Sequence, residues 1–144
     1  MAAQLKLKSV DVRAVVVPLR RPVVSKVGRF DQWPLILIDL HTTGDIVGRS
    51  YLAPYLANAV RYIVPAIRDL ALARQGTTLS PIDGFQTNRR SLNLVGYGGV
   101  AAIAVAGLDM ALWDALAKAA GVPLAVLLGG SLGRFPPTTA TACG

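Results

Sequence analysis

Residues 104 to 130, AVAGLDMALWDALAKAAGVPLAVLLGG, are apolar apart from two aspartates and one lysine. A run of this composition reads as a helix that must be largely buried, and it dictates a fold able to cover it. With the GYGG segment leading in, the helix is predicted over about Val100 to Ala120, with Gly121 and Pro123 to end it. Its charges do not form an acid/base pair. Asp109 and Asp114 lie roughly 140° apart around a helix, so the two carboxylates cannot share a substrate or a metal. Asp114 and Lys118 stand at i and i+4, the acid first, which suits a helix-surface ion pair of tenths of a kcal/mol. Asp109 falls among apolar neighbours and is expected to be partly buried against a hydrogen-bonding group or an arginine, since an unpaired buried carboxylate is costly.

The first third of the chain has a different period. LKLKSVDVRAVVVPL, residues 5 to 19, alternates in two phases and predicts a long strand with a break near Ser9. PLILIDL and IVGRSYL are two more β-rich runs joined by HTTGD, a tight connection between antiparallel neighbours. Residues 20 to 33, between the first two strands, read as a long loop holding Pro22, Gly28 and a basic cluster. From Ala57 onward Val60, Ile63, Ile67 and Leu70 recur at helical spacing, Pro65 predicts a kink or late start, and Gly76 a stop. SPID offers Ser80 as N-cap, a proline at the first helical position and Asp83 in the first turn of a second helix, to about Asn93. PLAVLLGG reads as a last short helical piece. The expected class is α+β: a three-stranded antiparallel meander followed by a helical bundle.

Several function classes drop out. Cys143 is the single cysteine and His41 the single histidine of 144 residues, which excludes an internal disulfide and a Cys/His zinc site. No uninterrupted apolar run spans a bilayer and the N-terminus lacks a secretory signal, so the chain is read as soluble and cytoplasmic, without a membrane partner. All eight acids are aspartates, and the net charge is +7. The cations are scattered except for Arg20, Arg21, Lys26 and Arg29, which read as a solvated loop, and no nucleic-acid partner is expected. GYGGVAA lacks the spacing and the preceding strand of a dinucleotide-binding turn and reads as an interhelix turn. Lys6 and Lys8 belong to one strand face, and nothing supplies His41 with a nucleophile.

The opening stretch carries a further signal. Ala-Gly-Leu-Asp-x-Ala-x-x-Asp, then a lysine, Pro-Leu and Leu-Leu-Gly, resembles the signature of the mandelate racemase/muconate lactonizing enzyme family of the enolase superfamily. VVVPLRRPV, PLILIDL, VGRSYLAPY and NLVGYGGVAA resemble its other N-terminal segments in the same order, those of the mandelate racemase members most of all. The resemblance runs from Val12 to Arg134 and implies an N-terminal capping domain over residues 1–134. Residues 135–144 would then be a linker and the start of a first barrel strand, with the TIM barrel itself lacking. It implies a magnesium-dependent racemase or dehydratase acting on a small-molecule 2-hydroxy acid, mandelate or a sugar acid. The Mg²⁺ belongs to the full-length family enzyme, and no metal ligand and no catalytic residue is expected in this chain, which is inactive alone. By position-wise resemblance Val23 and Phe30 would form an apolar wall facing substrate, Tyr55 would donate its hydroxyl to a substrate oxygen, and Thr141 corresponds loosely to a residue contacting the carboxylate. Homo-oligomers are expected, and a cap without its barrel is expected to self-associate through exposed apolar surface. The rival reading is a free-standing, non-catalytic interaction module that uses the same surface.

Overall fold

The computed structural model describes residues 5–133. The expectations for 135–144, Thr141 included, lie outside the described residues. Strands β1 (Leu7–Ser25), β2 (Gly28–Thr42) and β3 (Val47–Leu52) form one antiparallel sheet in the order β1-β2-β3. A 3-10 turn (Ala57–Ala59) leads into α1 (Val60–Leu72), followed by α2 (Pro81–Ser91), α3 (Gly99–Ala119) and the single turn α4 (Leu124–Leu127). This is the expected α+β meander followed by helices, and no barrel is present among the described residues.

Alternation along β2 explains the layering. Pro34, Ile36, Ile38, Leu40 and Thr42 are buried, while the residues between them are half-buried on the opposite face. The buried row meets Ile63, Ile67 and Leu70 of α1 and Ala104, Val105, Leu108, Ala111 and Leu112 of α3 in one core. At 21 residues α3 is long and apolar enough to cross a bilayer, yet eight of its residues are buried by the sheet and the other helices. Its outward stripe, Ile103, Ala106 and Met110, remains exposed.

The break near Ser9 is a bulge: Leu7 pairs with Thr42 and Ser9 with His41, which leaves Lys8 as the extra residue. Residues 20 to 33 are not the irregular loop that Pro22 and Gly28 suggest. The two strands continue as a hairpin, with Val23 opposite Phe30, Val24 opposite Arg29 and Ser25 opposite Gly28. Only Leu19 to Pro22 depart from pairing, standing against Asp31 between the Pro18–Gln32 and Val23–Phe30 pairs. Pro18 and Pro22 are tolerated because β1 is an edge strand, where a missing N–H costs little.

The helices also differ in detail from expectation. α1 runs through Pro65 without a late start. The Ser80 hydroxyl donates to the Asp83 carboxylate at 2.6 Å and makes no cap to the backbone. Arg74, unremarked in the sequence, is buried and donates through Nη1 to the Gly84 carbonyl, which ties the segment after α1 to α2. Burial lowers its pKa, an effect the Asp83 carboxylate opposes.

β3 lies flush on α3 because the facing positions are small. A Cβ at Gly48 would strike the Ala111 carbonyl oxygen and come within 2.8 Å of the Ala115 Cβ; one at Gly107 would come within 2.7 Å of Ile38 Cδ1. Ser50 donates its hydroxyl across this contact to the Gly107 carbonyl at 2.7 Å. Gly48→Ala is therefore expected to destabilise by about 1–3 kcal/mol through overpacking, read as a lower urea midpoint. Gly133→Ala, with open space around its Cβ, should stay within about 0.5 kcal/mol of the parent.

Candidate functional site

Asp109, Asp114 and Lys118 are placed apart, as the helical spacing requires. Asp114 and Lys118 do more than pair on the surface. The Asp114 carboxylate accepts from the Arg49 backbone N–H at 2.7 Å and from Lys118 Nζ at 2.5 Å, and Lys118 also donates to the Val47 carbonyl at 2.8 Å. The pair thus satisfies outward backbone groups of the edge strand β3 and clasps it to α3. Asp109 is half-buried, as expected, but the partner predicted for it is not found: it has no hydrogen bond or ion pair among the described residues. Burial pushes its carboxyl above the usual 3.8.

His41 ends β2, and its Nε2 lies 3.0 Å from the Asp11 carboxylate across the strands. Asp39 lies between Arg13 at 2.7 Å and Arg49 at 3.3 Å. The Asp39 contacts are cross-strand ion pairs on an open sheet face, and although Ser9 pairs opposite His41, no serine or cysteine side chain is hydrogen-bonded to His41 among the described residues. Among the described residues no three of His, Cys, Asp or Glu converge on a point that could hold a metal ion.

The residues that do converge are aromatic. Phe30 on the hairpin, Trp33 lower on β2 and Tyr55 after β3 form a chain of edge-on contacts. The Phe30–Trp33 centroids are 6.1 Å apart at 79°, and the Trp33–Tyr55 centroids 5.3 Å apart at 74°. Such contacts are worth about 0.5–1.5 kcal/mol each beyond area burial. Tyr55 is held in a rare turn: its φ is 59°, in the left-handed region, and the Leu56 N–H donates to the Pro54 carbonyl at 2.6 Å, closing a three-residue γ-turn around it. That conformation costs a non-glycine residue about 1–2 kcal/mol, and the Trp33 contact offsets part of it. An open cavity of about 430 Å³ lies here, lined by Val16, Arg29, Phe30, Gln32, Tyr55 and Leu56 among others. Phe30 and Tyr55 therefore share one cavity. Val23, the third expected residue, pairs opposite Phe30 on the hairpin and is 42% exposed, but it does not line this cavity.

Trp33 was not singled out in the sequence, because its place depends on the β2–β3 register and on the turn at Tyr55, neither of which local pattern specifies. Of the basic cluster, Arg29 donates to Asp31 at 3.0 Å, while Arg20, Arg21 and Lys26 have no carboxylate partner among the described residues and are exposed. Two larger concavities, about 510 Å³ on the outer sheet face and about 540 Å³ between α1 and the turn before α3, are also open; the first has its one carboxylate, Asp39, already shared by two arginines.

A sequence model described as mandelate racemase/muconate lactonizing enzyme, N-terminal domain, matches residues 8–129. An enolase from an alpha proteobacterium, BAL199, with bound magnesium is 44% identical, with a TM-score of 0.84 over 88% of this chain and 35% of its own. An enolase from Bradyrhizobium complexed with magnesium and mandelic acid is 38% identical, with a TM-score of 0.88 over 94% of this chain and 38% of its own. An L-talarate dehydratase from Polaromonas, complexed with magnesium and L-glucarate, shares the fold at 23% identity and a TM-score of 0.79, over 93% of this chain and 40% of its own. The chain thus spans well under half the length of each.

The unpaired Asp109 yields a pH test. Its raised folded-state pKa means that stability is fully present below the unfolded value of about 3.8 and is lost as pH rises through the folded value. Asp109→Asn should therefore raise the urea midpoint of this chain at pH 7, and the gain should vanish near pH 3; an equal gain at both pH values would contradict the assignment.

Proposed function

Because the chain belongs to the mandelate racemase/muconate lactonizing enzyme family through its N-terminal domain, we propose that it is the capping and specificity domain of a magnesium-dependent racemase or dehydratase. The reaction is abstraction of the proton next to the carboxylate of a 2-hydroxy acid, of the mandelate or sugar-acid type, in a barrel that the cap covers. The observation that carries this reading is the convergence of the hairpin tip and the Tyr55 turn on one open cavity. Two separate connections, one after the first strand and one after the third, would not meet there unless the sheet register brought them together.

In this role the chain's own residues bind, orient and exclude water. Phe30 supplies apolar wall, with Val23 paired opposite it on the hairpin but outside the cavity lining, and Tyr55 donates its hydroxyl to a substrate oxygen. An apolar lid lowers the local dielectric and strengthens polar contacts made beneath it. The free cations Arg20, Arg21 and Lys26 attract an acidic substrate to the mouth, an effect on association rate that falls with salt. The exposed α3 stripe around Ile103 and Met110 is the surface a barrel would cover.

The test is exchange of the C2 proton of 2-hydroxy acids into D₂O by the enzyme carrying this cap. Exchange that requires Mg²⁺ and stops on chelation is expected; metal-independent exchange, or none on any 2-hydroxy acid, contradicts the reading. Within an active enzyme Tyr55→Phe should lower kcat/KM about tenfold, the loss of one hydrogen bond to substrate. An unchanged kcat/KM would remove Tyr55 from the site.

A further inference from the structure

We propose that the outward face of α3 is the seat of the barrel on this cap, and that Asp109 is its one charged anchor, pairing on assembly with an arginine or lysine of the barrel. The inference rests on the proposed function above, since it needs the domain that the cap covers, and it adds the chemistry by which the two are joined.

The composition of that face carries the first part. At about 100° per residue, Ile103, Met110, Ala106, Trp113, Ala102 and Asp109 follow one another around one side of α3. Ile103, Ala106 and Met110 are exposed, while Ala102, Asp109 and Trp113 are half-buried. A helix face left to water would carry several charges, and this one holds a single carboxylate among alanine, isoleucine, methionine and tryptophan.

Its occupant follows from where the chain leads. The match covers only 35% and 38% of the two relatives that are most alike in sequence among those described above, so most of each lies outside the part this chain resembles. The last described element, α4, packs on α3, so the chain leaves the described fold from that same helix.

Asp109 specifies the chemistry of the partner. The other charges of α3 are engaged, Asp114 and Lys118 with each other and with β3. Asp109 has no hydrogen bond or ion pair among the described residues. Its open side faces solvent in the free cap. A domain laid over the stripe removes that solvent, and an ionised carboxylate left without a donor would oppose the docking that the apolar residues favour. A carboxylate only accepts hydrogen bonds, and a cationic donor is the group that best compensates a desolvated negative charge. Asp109 therefore destabilises the free cap and stabilises the covered one.

The experiment follows amide hydrogen exchange across α3, Gly99–Ala119, in this 144-residue chain and in a hybrid enzyme that joins the cap to the barrel of the 44% identical relative. The parent helix should exchange more slowly in the hybrid. Asp109→Asn should slow exchange in the chain alone, where it removes an unpaired charge, and speed it about tenfold or more in the hybrid, where it breaks the pair. Asp109→Glu, which keeps the charge, should retain most of the hybrid's protection. Ala106→Arg, on the exposed part of the stripe, should stay within about twofold of the parent in the chain alone and strip the protection from the hybrid. A parent helix no better protected in the hybrid, protection indifferent to Ala106→Arg, or Asp109→Asn acting in the same direction in both settings overturns the proposal. So does a hybrid whose α3 protection is lost on dilution from dimer to monomer, because the stripe then serves a second copy. A hybrid that exchanges no C2 proton of any 2-hydroxy acid yet shows the reversal at Asp109 sinks the proposed reaction and supports the anchor.

Discussion

The close approach of β3 to α3 is the contact on which the rest of the molecule depends. Gly48 and Gly107 remove the side chains that would hold the two elements apart, and the Ser50 hydroxyl bonds across the gap to the helix backbone. Asp114 and Lys118 then close the open edge of the strand. A β3 fixed in this way delivers the chain at Leu52 into the Pro54–Leu56 turn with little freedom, and so determines where Tyr55 stands relative to β2. The helix charges serve the site at a distance, by fixing the strand that leads to it.

Two connections from opposite parts of the sheet meet as a result. The hairpin extends β1 and β2 beyond the helix-covered core, and the Tyr55 turn comes up beside it, with Trp33 between. Neither segment brings an acid/base pair or a metal-ligating cluster. What they bring is shape, apolar surface, one hydroxyl and nearby positive charge. Under the proposed function, chemistry would lie in a barrel and admission in the cap, and substrate preference would then change by substitutions in the cap without disturbing the reacting groups.

Much of this was legible from residue order. The β-rich runs PLILIDL and IVGRSYL marked β2 and β3, the helical spacing of Val60, Ile63 and Ile67 placed α1, and the 140° separation of Asp109 and Asp114 ruled out a carboxylate pair. Residues 20 to 33 read as a loop because Pro22 signals breakage unless the strand is known to lie at an edge, and edge position is a property of the sheet. The second duty of Asp114 and Lys118 was hidden for a similar reason: an i,i+4 pair looks the same on a free helix surface and beside an unsatisfied strand edge. A partner for Asp109 was expected from the cost of burying charge, and none is present among the described residues. The aromatic chain Phe30–Trp33–Tyr55 was invisible locally because it joins residues brought together only by register and by a positive φ at Tyr55.

The most direct test of this account is a crystal structure of the enzyme carrying this cap with a 2-hydroxy acid bound. The account predicts that side-chain atoms of Phe30 and Tyr55 lie within about 4.5 Å of the group attached to C2, with Trp33 behind them. A substrate enclosed by the barrel alone, with the hairpin and the Tyr55 turn directed away from it, would contradict it.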